Sequence, residues 1–225
     1  MKHHSQTRVS HPGGVTRVAL TCPLVLASAS PRRADLLERA GYRFSVIASP
    51  VSEPARRPSS VPLRLWPACV AGIKAQAVAA KLKSHTLVIG ADTIVTLGGQ
   101  IINKARNRHH AREILLRLSG REHQILTGLA LFSDGHCRFA TAVSICRMKK
   151  LSRTWLNAYL DSGLWRGKAG AYGIQDDLAN GAGGKDPIIR LLHGEWSNVV
   201  GLPMNLLAQE MALMKQDIQD KDAKL

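Results

Sequence analysis

The sequence predicts an α/β fold, a mixed sheet with flanking helices, on three observations. Leu24-Val25-Leu26-Ala27 is a short apolar run that breaks into Ser28-Ala29-Ser30-Pro31, the pattern of a buried strand turning into a helix start. Ala111, Ile114, Leu115 and Leu118 recur at helical spacing and are followed by Gly120, a helix with its stop signal. Residues 124–132 and 138–148 read as two strands around Ser133-Asp134-Gly135-His136, a hairpin turn. These elements do not keep a strict βαβ rhythm, so the sheet is expected to be mixed.

In chain order, Ser30 suits the N-cap of the first helix and Pro31 its first position, where the missing N–H costs nothing. Leu36, Leu37 and Ala40 supply its apolar face, and Gly41 its left-handed stop. Phe44 to Ala48 predicts a second strand, and Ser49 to about Pro62 a loop rich in Pro, Ser and Arg. A helix begins near Pro67, with Val70, Ile73 and Ala77 at helical spacing. Thr86 to Val95 carries two β-branched runs around Asp92-Thr93 and predicts a strand interrupted by that polar pair. A short helix is expected from Ser152 to Leu160, then an irregular glycine-rich stretch from Gly163 to Gly184. The closing helix, Val199 to Met214, is broken early by Pro203.

At 225 residues and 45% hydrophobic, the chain can bury one full core. The expected organisation is a basic N-terminal arm over residues 1–20, one domain over 21–215 and a polar tail over 216–225. No apolar run approaches the roughly 18 to 20 residues of a membrane span, and no secretory leader is evident, so a cytoplasmic protein with no membrane partner is expected. The four cysteines, Cys22, Cys69, Cys137 and Cys146, lack metal-site or disulfide spacing. A formal charge of +15 attracts polyanions. Nucleic acid is not the expected partner, because no helix-turn-helix, RNA-recognition or zinc-finger pattern accompanies the charge.

Three constellations could carry chemistry. Ser30-Pro31-Arg32-Arg33 joins a helix start to two guanidinium groups, an anion site suited to a phosphate chain or else a capped surface helix. Arginine in a first turn opposes the helix dipole, so two in succession favour a bound anion. Asp92, a carboxylate between apolar runs, must be paired, bound to metal or set in a cleft. The residues alone leave a structural salt bridge and a catalytic group both open. In Lys168 to Gln175, small residues surround one cation, one phenol and one amide, which fits either a ligand loop or a surface loop. Val199 to Pro203 carries no reactive group and reads as packing.

These segments resemble a known family. Leu26 to Arg33, Gly90-Ala91-Asp92-Thr93, Leu118-Ser119-Gly120-Arg121, Lys168 to Gln175 and Asn198 to Pro203 are similar, in order, to the signature segments of the Maf nucleotide pyrophosphatases. The resemblance implies an inosine-triphosphatase-like two-lobed fold with a central cleft and a divalent cation, Mg²⁺ or Mn²⁺, as cofactor. It implies water attack at the α-phosphorus of a nucleoside triphosphate, with Asp92 as proton acceptor. In the branch acting on dTTP and UTP, the resemblance assigns base choice to Arg32, Thr93 and Gln175. It places Glu53, Lys74 and Lys104 in the cleft. Charge chemistry agrees: Arg32, Arg33, Lys104, Lys168 and a metal could share the charge of a triphosphate beside Ser30, and Glu53 and Asp92 are hard oxygen ligands of the kind Mg²⁺ or Mn²⁺ prefers. A homodimer is compatible with this reading. The sister branch acting on 7-methyl-GTP differs beside the Asp, and a non-catalytic regulator binding nucleic acid or a cell-division partner is the third reading. The chain departs from the pattern at Ala105 after Lys104, at Gly163-Leu164-Trp165, and at Asp176-Asp177, which would add negative charge beside the phosphate loop.

Overall fold

A computed structural model describes residues 18–20, 22–82, 85–176 and 187–222. The expected basic arm lies outside them except at its end, where Val18 and Leu20 pack against the core. The elements are β1 (Leu24–Leu26), α1 (Pro31–Arg39), β2 (Ser45–Val46), α2 (Trp66–Ala79), β3 (Leu87–Leu97), β4 (Gln100–Ile102) and α3 (Arg108–Leu118). They continue with β5 (Glu122–Ser133), β6 (His136–Met148), α4 (Arg153–Ser162), β7 (Ile189–His193), α5 (Trp196–Val200) and α6 (Met204–Asp222). Among the described residues the sheet has seven strands in the order β2-β1-β3-β5-β6-β7, with β4 also on β3. It is mixed, as the sequence predicts: β1 runs parallel to β2 and β3, and the other pairings are antiparallel.

One detail of β3 positions the site. The strand is not interrupted at Asp92, because β5 pairs with it continuously from Val88 to Thr96. Its other edge is shared between two short strands. There β1 covers Leu87 to Ile89 and β4 covers Val95 to Leu97, so residues 90–94 have a neighbour on one side only. The polar pair that looked like a break in the strand is a break in its neighbours. The gap lies beyond the C-terminal end of β1, the kind of topological switch at which α/β sheets bind ligands.

Alternation along β3 then aims the side chains. Leu87, Ile89, Ala91 and Val95 face the larger core, with Leu36 and Leu37 of α1, Ile114 of α3, Tyr159 of α4 and Leu207 of α6. Val88 and Ile94 face the opposite side, against Ala71, Ala75 and Val78 and against Trp66 and Val70 of α2. Asp92 therefore points toward α2, and Thr93 toward α1.

Helix α2 corrects one expectation: Ile73 is exposed at 39%, while Ala68, Ala71 and Ala75 are buried. Close backbone approach selects this face, since a Cβ on Gly90 would stand 2.3 Å from the Ala71 carbonyl oxygen. The other differences are local. The strand expected over Phe44 to Ala48 shrinks to the exposed pair Ser45–Val46, because it lies at the sheet edge with three-residue β1 as its partner. Pro203 separates α5 from α6, and α6 runs on to Asp222, so residues 216–222 are helical rather than a tail. Arg138 on β6 secures that helix through Glu210 at 2.8 Å and Asp217 at 2.9 Å, and Ile218 packs on the core.

Candidate active site

At the gap beside residues 90–94 lies a cleft of about 480 Å³, within the range of nucleotide-sized pockets. Ser30, Arg32, Arg33, Glu53, Lys74, Asp92, Thr93, Lys104, Lys168 and Gln175 all line it, so the residues expected at a site come together. Their partners differ, and so do the roles open to them.

On the α2 side, Lys74 Nζ donates to Asp92 Oδ1 at 2.6 Å and to Glu53 Oε1 at 2.8 Å. Lys104 Nζ reaches both Glu53 oxygens, at 3.2 and 3.4 Å. Burial raises the Glu53 pKa, but Lys74 and Lys104 outweigh it and bring it down to about 2. Asp92 is 7% exposed, and its Oδ2 takes no hydrogen bond from the described residues. One oxygen is held, the other is unbonded among the described residues, and the residue lines the cleft.

On the α1 side, Ser30 occupies the N-cap of α1 as expected, but its hydroxyl makes no capping bond; instead Ser28 Oγ accepts from the Ser30 N–H at 3.2 Å. Arg33 is committed inside the protein. Its Nε donates to the Gly201 carbonyl at 2.7 Å, and its two terminal nitrogens donate to Ser28 Oγ at 3.0 Å and Thr93 Oγ1 at 3.1 Å. Burial lowers its pKa, with Asp92 opposing. Thr93 and Thr127, directly opposite on β5, have their hydroxyl oxygens 2.9 Å apart, and Thr127 donates to the Asn198 carbonyl at 3.0 Å. A threonine has one hydroxyl hydrogen, so Thr93 must be the donor to Thr127. The chain Arg33 to Thr93 to Thr127 to Asn198 therefore braces the wall, and Thr93 has no hydrogen left for a ligand. The Val199 to Pro203 segment, read as packing, also supplies the carbonyl that holds Arg33.

The third wall is the loop from Gly163 to Asp176, which contains a single 3-10 turn at Ala169–Ala171. Lys168 is not free for a phosphate, because its ammonium lies 2.5 Å from both oxygens of Asp176, and Tyr159 donates to Asp176 Oδ2 at 2.6 Å. Burial lowers the Lys168 pKa while Asp176 raises it. The expected excess of negative charge at Asp176 is thus neutralised within the wall, and Asp177 lies outside the described residues. The side chains of Arg32 and Gln175 make no hydrogen bond with the described residues. Arg166, absent from the expected residues, also lines the cleft, with its guanidinium 4.8 Å from the centre of the Trp165 ring. A lone arginine in an irregular loop carries no sequence signal of its own; Thr127, inside an ordinary strand, carries none either.

Six cationic side chains and two carboxylates line the cleft, a balance that suits an extended polyanion. Among the described residues no group of three or more His, Cys, Asp or Glu could hold a metal ion. Glu53 and Asp92 do fit one narrower case: hard oxygen donors in the number that Mg²⁺ takes when substrate phosphates and waters complete its shell. Among the described residues no helix is long and apolar enough to cross a membrane.

Comparison with known proteins identifies the family. A "dTTP/UTP pyrophosphatase" of Rhodopirellula baltica is 40% identical over 201 residues, covering 87% of this chain and 84% of that protein. One of the same description from Salinibacter ruber is 39% identical over 201 residues, covering 88% and 94%. A solved nucleoside-triphosphatase, dITP/XTP pyrophosphatase, from Mycobacterium abscessus aligns over 90% of this chain and 98% of its own at 14% identity and TM-score 0.38, a likeness too loose to argue from. The model of the family described as "Maf-like protein" matches residues 23–214, and with those relatives it makes this chain a member of the Maf family.

Proposed function

We propose that this chain hydrolyses dTTP and UTP to the nucleoside monophosphate and pyrophosphate, in the cytoplasm. The observation that carries the reading is Asp92, a carboxylate in the sheet gap that lines a cation-rich cleft, with one oxygen fixed by Lys74 and the other unbonded among the described residues. Relatives about 40% identical and named for that activity support the substrate class.

In this reading, Asp92 Oδ2 accepts a proton from water as the water oxygen bonds to the α-phosphorus. The bond from the α-phosphorus to the α,β-bridging oxygen breaks, and pyrophosphate leaves. Lys74 orients Asp92 and, with Glu53 and Lys104, forms a charged cluster at the mouth of the gap. Lys104 and Arg166 are the cations with room to meet phosphate charge. Arg33 acts through the wall it braces. Glu53 and Asp92 would hold Mg²⁺ or Mn²⁺, which when bound draws charge from the phosphate oxygens.

Base choice follows from donor and acceptor chemistry. Gln175 presents an amide that can both donate to and accept from a pyrimidine edge, whereas Arg32 presents donors only. A donor-only group favours the O4 carbonyl of uracil or thymine and rejects the amino group of cytosine. Thr93 influences the base through its hold on Arg33. The test is pyrophosphate release from dTTP, UTP, dCTP, CTP, GTP and 7-methyl-GTP with Mg²⁺ or Mn²⁺. Release from 7-methyl-GTP alone, or from none of the six, would sink the proposal.

A further inference from the structure

We propose that Asp176 is a positioning residue for base recognition: it ties Lys168 and Tyr159 into a closed loop that holds the neighbouring Gln175 in the cleft wall. The inference rests on the nucleotide pyrophosphatase reading above and concerns the place where the chain departs from the family pattern. Asp176 accepts from Lys168 through both oxygens and from the Tyr159 hydroxyl through one. The Tyr159 oxygen in turn accepts the Gly173 N–H at 3.3 Å, and the Asp176 N–H returns to the Gly173 carbonyl at 3.1 Å. The two ends of residues 168–176 are thereby tied to each other, and Gly173 and Asp176 are both tied to the Tyr159 hydroxyl of α4. The fit is close, for a Cβ on Gly173 would stand 2.7 Å from Asp176 Oδ1.

Lys168 and Asp176 are each 8% exposed. Releasing Lys168 to a phosphate would leave a carboxylate buried without its cation, which is strongly unfavourable. Lys168 is therefore a strut of the loop, and its position is set from within the protein.

The consequence falls on Gln175, whose side chain lines the cleft and makes no hydrogen bond with the described residues. A glutamine amide can turn over and offer its donor and acceptor in either order, so it separates uracil from cytosine only if its backbone is held in register with a second, one-sided group. Arg32 is that group. It lines the same cleft as Gln175, Lys168 and Gly173. Asp176 holds the backbone of Gln175 in place opposite that group, and loosening it lets the amide follow either base.

The experiment compares wild type, Asp176→Asn and Tyr159→Phe by the ratio of kcat/KM for dTTP to that for dCTP, alongside calorimetric titration with UMP and CMP. Asp176→Asn is expected to lower the ratio about tenfold and Tyr159→Phe about threefold, mostly through a raised KM for dTTP. Rates that fall equally on both substrates, with the ratio kept within twofold in Asp176→Asn, would overturn the inference. If Asp176→Asn does not fold, Tyr159→Phe decides, and an unchanged ratio there overturns it equally. A wild type that hydrolyses neither nucleotide refutes the proposed activity instead. The titrations then carry the test: UMP preferred over CMP in wild type but not in the variants supports the anchor, and any other pattern sinks it.

Discussion

The cleft is flanked by two lysine–carboxylate pairs of nearly equal length and opposite character. Lys74 and Asp92 lie 2.6 Å apart, but Lys74 is shared with Glu53, itself 48% exposed, and Asp92 lines the cavity. Lys168 and Asp176 lie 2.5 Å apart and are closed off, with both carboxylate oxygens engaged and a tyrosine on one of them. In the first pair Lys74 has Glu53 as a second partner and Asp92 has an oxygen unbonded among the described residues, so the pair can rearrange around a substrate; the second can do so only by leaving a charge buried. Distance does not separate a reactive ion pair from a structural one here, whereas the number of donors on the carboxylate does.

Substitutions can break or sharpen that contrast. The largest effect is expected at Asp92→Asn, a loss of about 10² to 10⁴ in kcat for pyrophosphate release from dTTP. Its stability by urea titration should drop by about 1 kcal/mol or less, because Lys74 keeps Glu53. Lys168→Met should reverse the pattern, with a stability loss of about 3 to 5 kcal/mol from an orphaned Asp176. The pair Lys168→Met/Asp176→Leu should recover most of it. If the single change is harmless, the pair is not sealed.

The closed side also contains His123, whose Nε2 lies 2.5 Å from the Tyr172 hydroxyl. Burial lowers its pKa from 6.5 to about 4, a backbone contact with Arg121 opposing. The unfolded chain takes up this proton near pH 6.5 and the folded chain only near pH 4. Stability from this group is therefore full above pH 6.5 and falls by about 3 kcal/mol as pH drops to about 4. Urea midpoints at pH 7.5 and 4.5 should show that loss in wild type and much less of it in His123→Gln. The smallest effect is expected on the open side. Lys104→Ala, at an exposed pair, should change stability by no more than about 0.5 kcal/mol while raising the KM for dTTP severalfold.

Local signals were the legible ones. The Ser30-Pro31-Arg32 corner and the stripe Ala111, Ile114, Leu115 and Leu118 depend on neighbours in the chain, and both stand where their patterns put them. Asp92 is legible as a misfit, yet whether β3 breaks there depends on where β1 and β4 end, which its own residues do not encode. Ile73 misleads because size dominates a periodicity argument, while the contact it concerns is made by small residues. The tie between Lys168 and Asp176 spans eight residues of irregular loop, with no period to announce it. The candidate side chains other than Arg166 and Thr127 could be listed from sequence; which of them remain free to meet a ligand is a matter of geometry.

Gly90 gives the packing of α2 a chemical consequence. It sits two residues before Asp92 on the same face of β3, where a methyl group would meet the carbonyl of Ala71 at 2.3 Å. Ala71 precedes Lys74 by less than one turn of α2, so whatever lifts the helix at that point also lifts the ammonium from the carboxylate. The hydrogen atom of this glycine acts as a spacer gauge for the reactive pair, and Gly90→Ala would detune Asp92 while leaving every polar group of the cleft in the sequence.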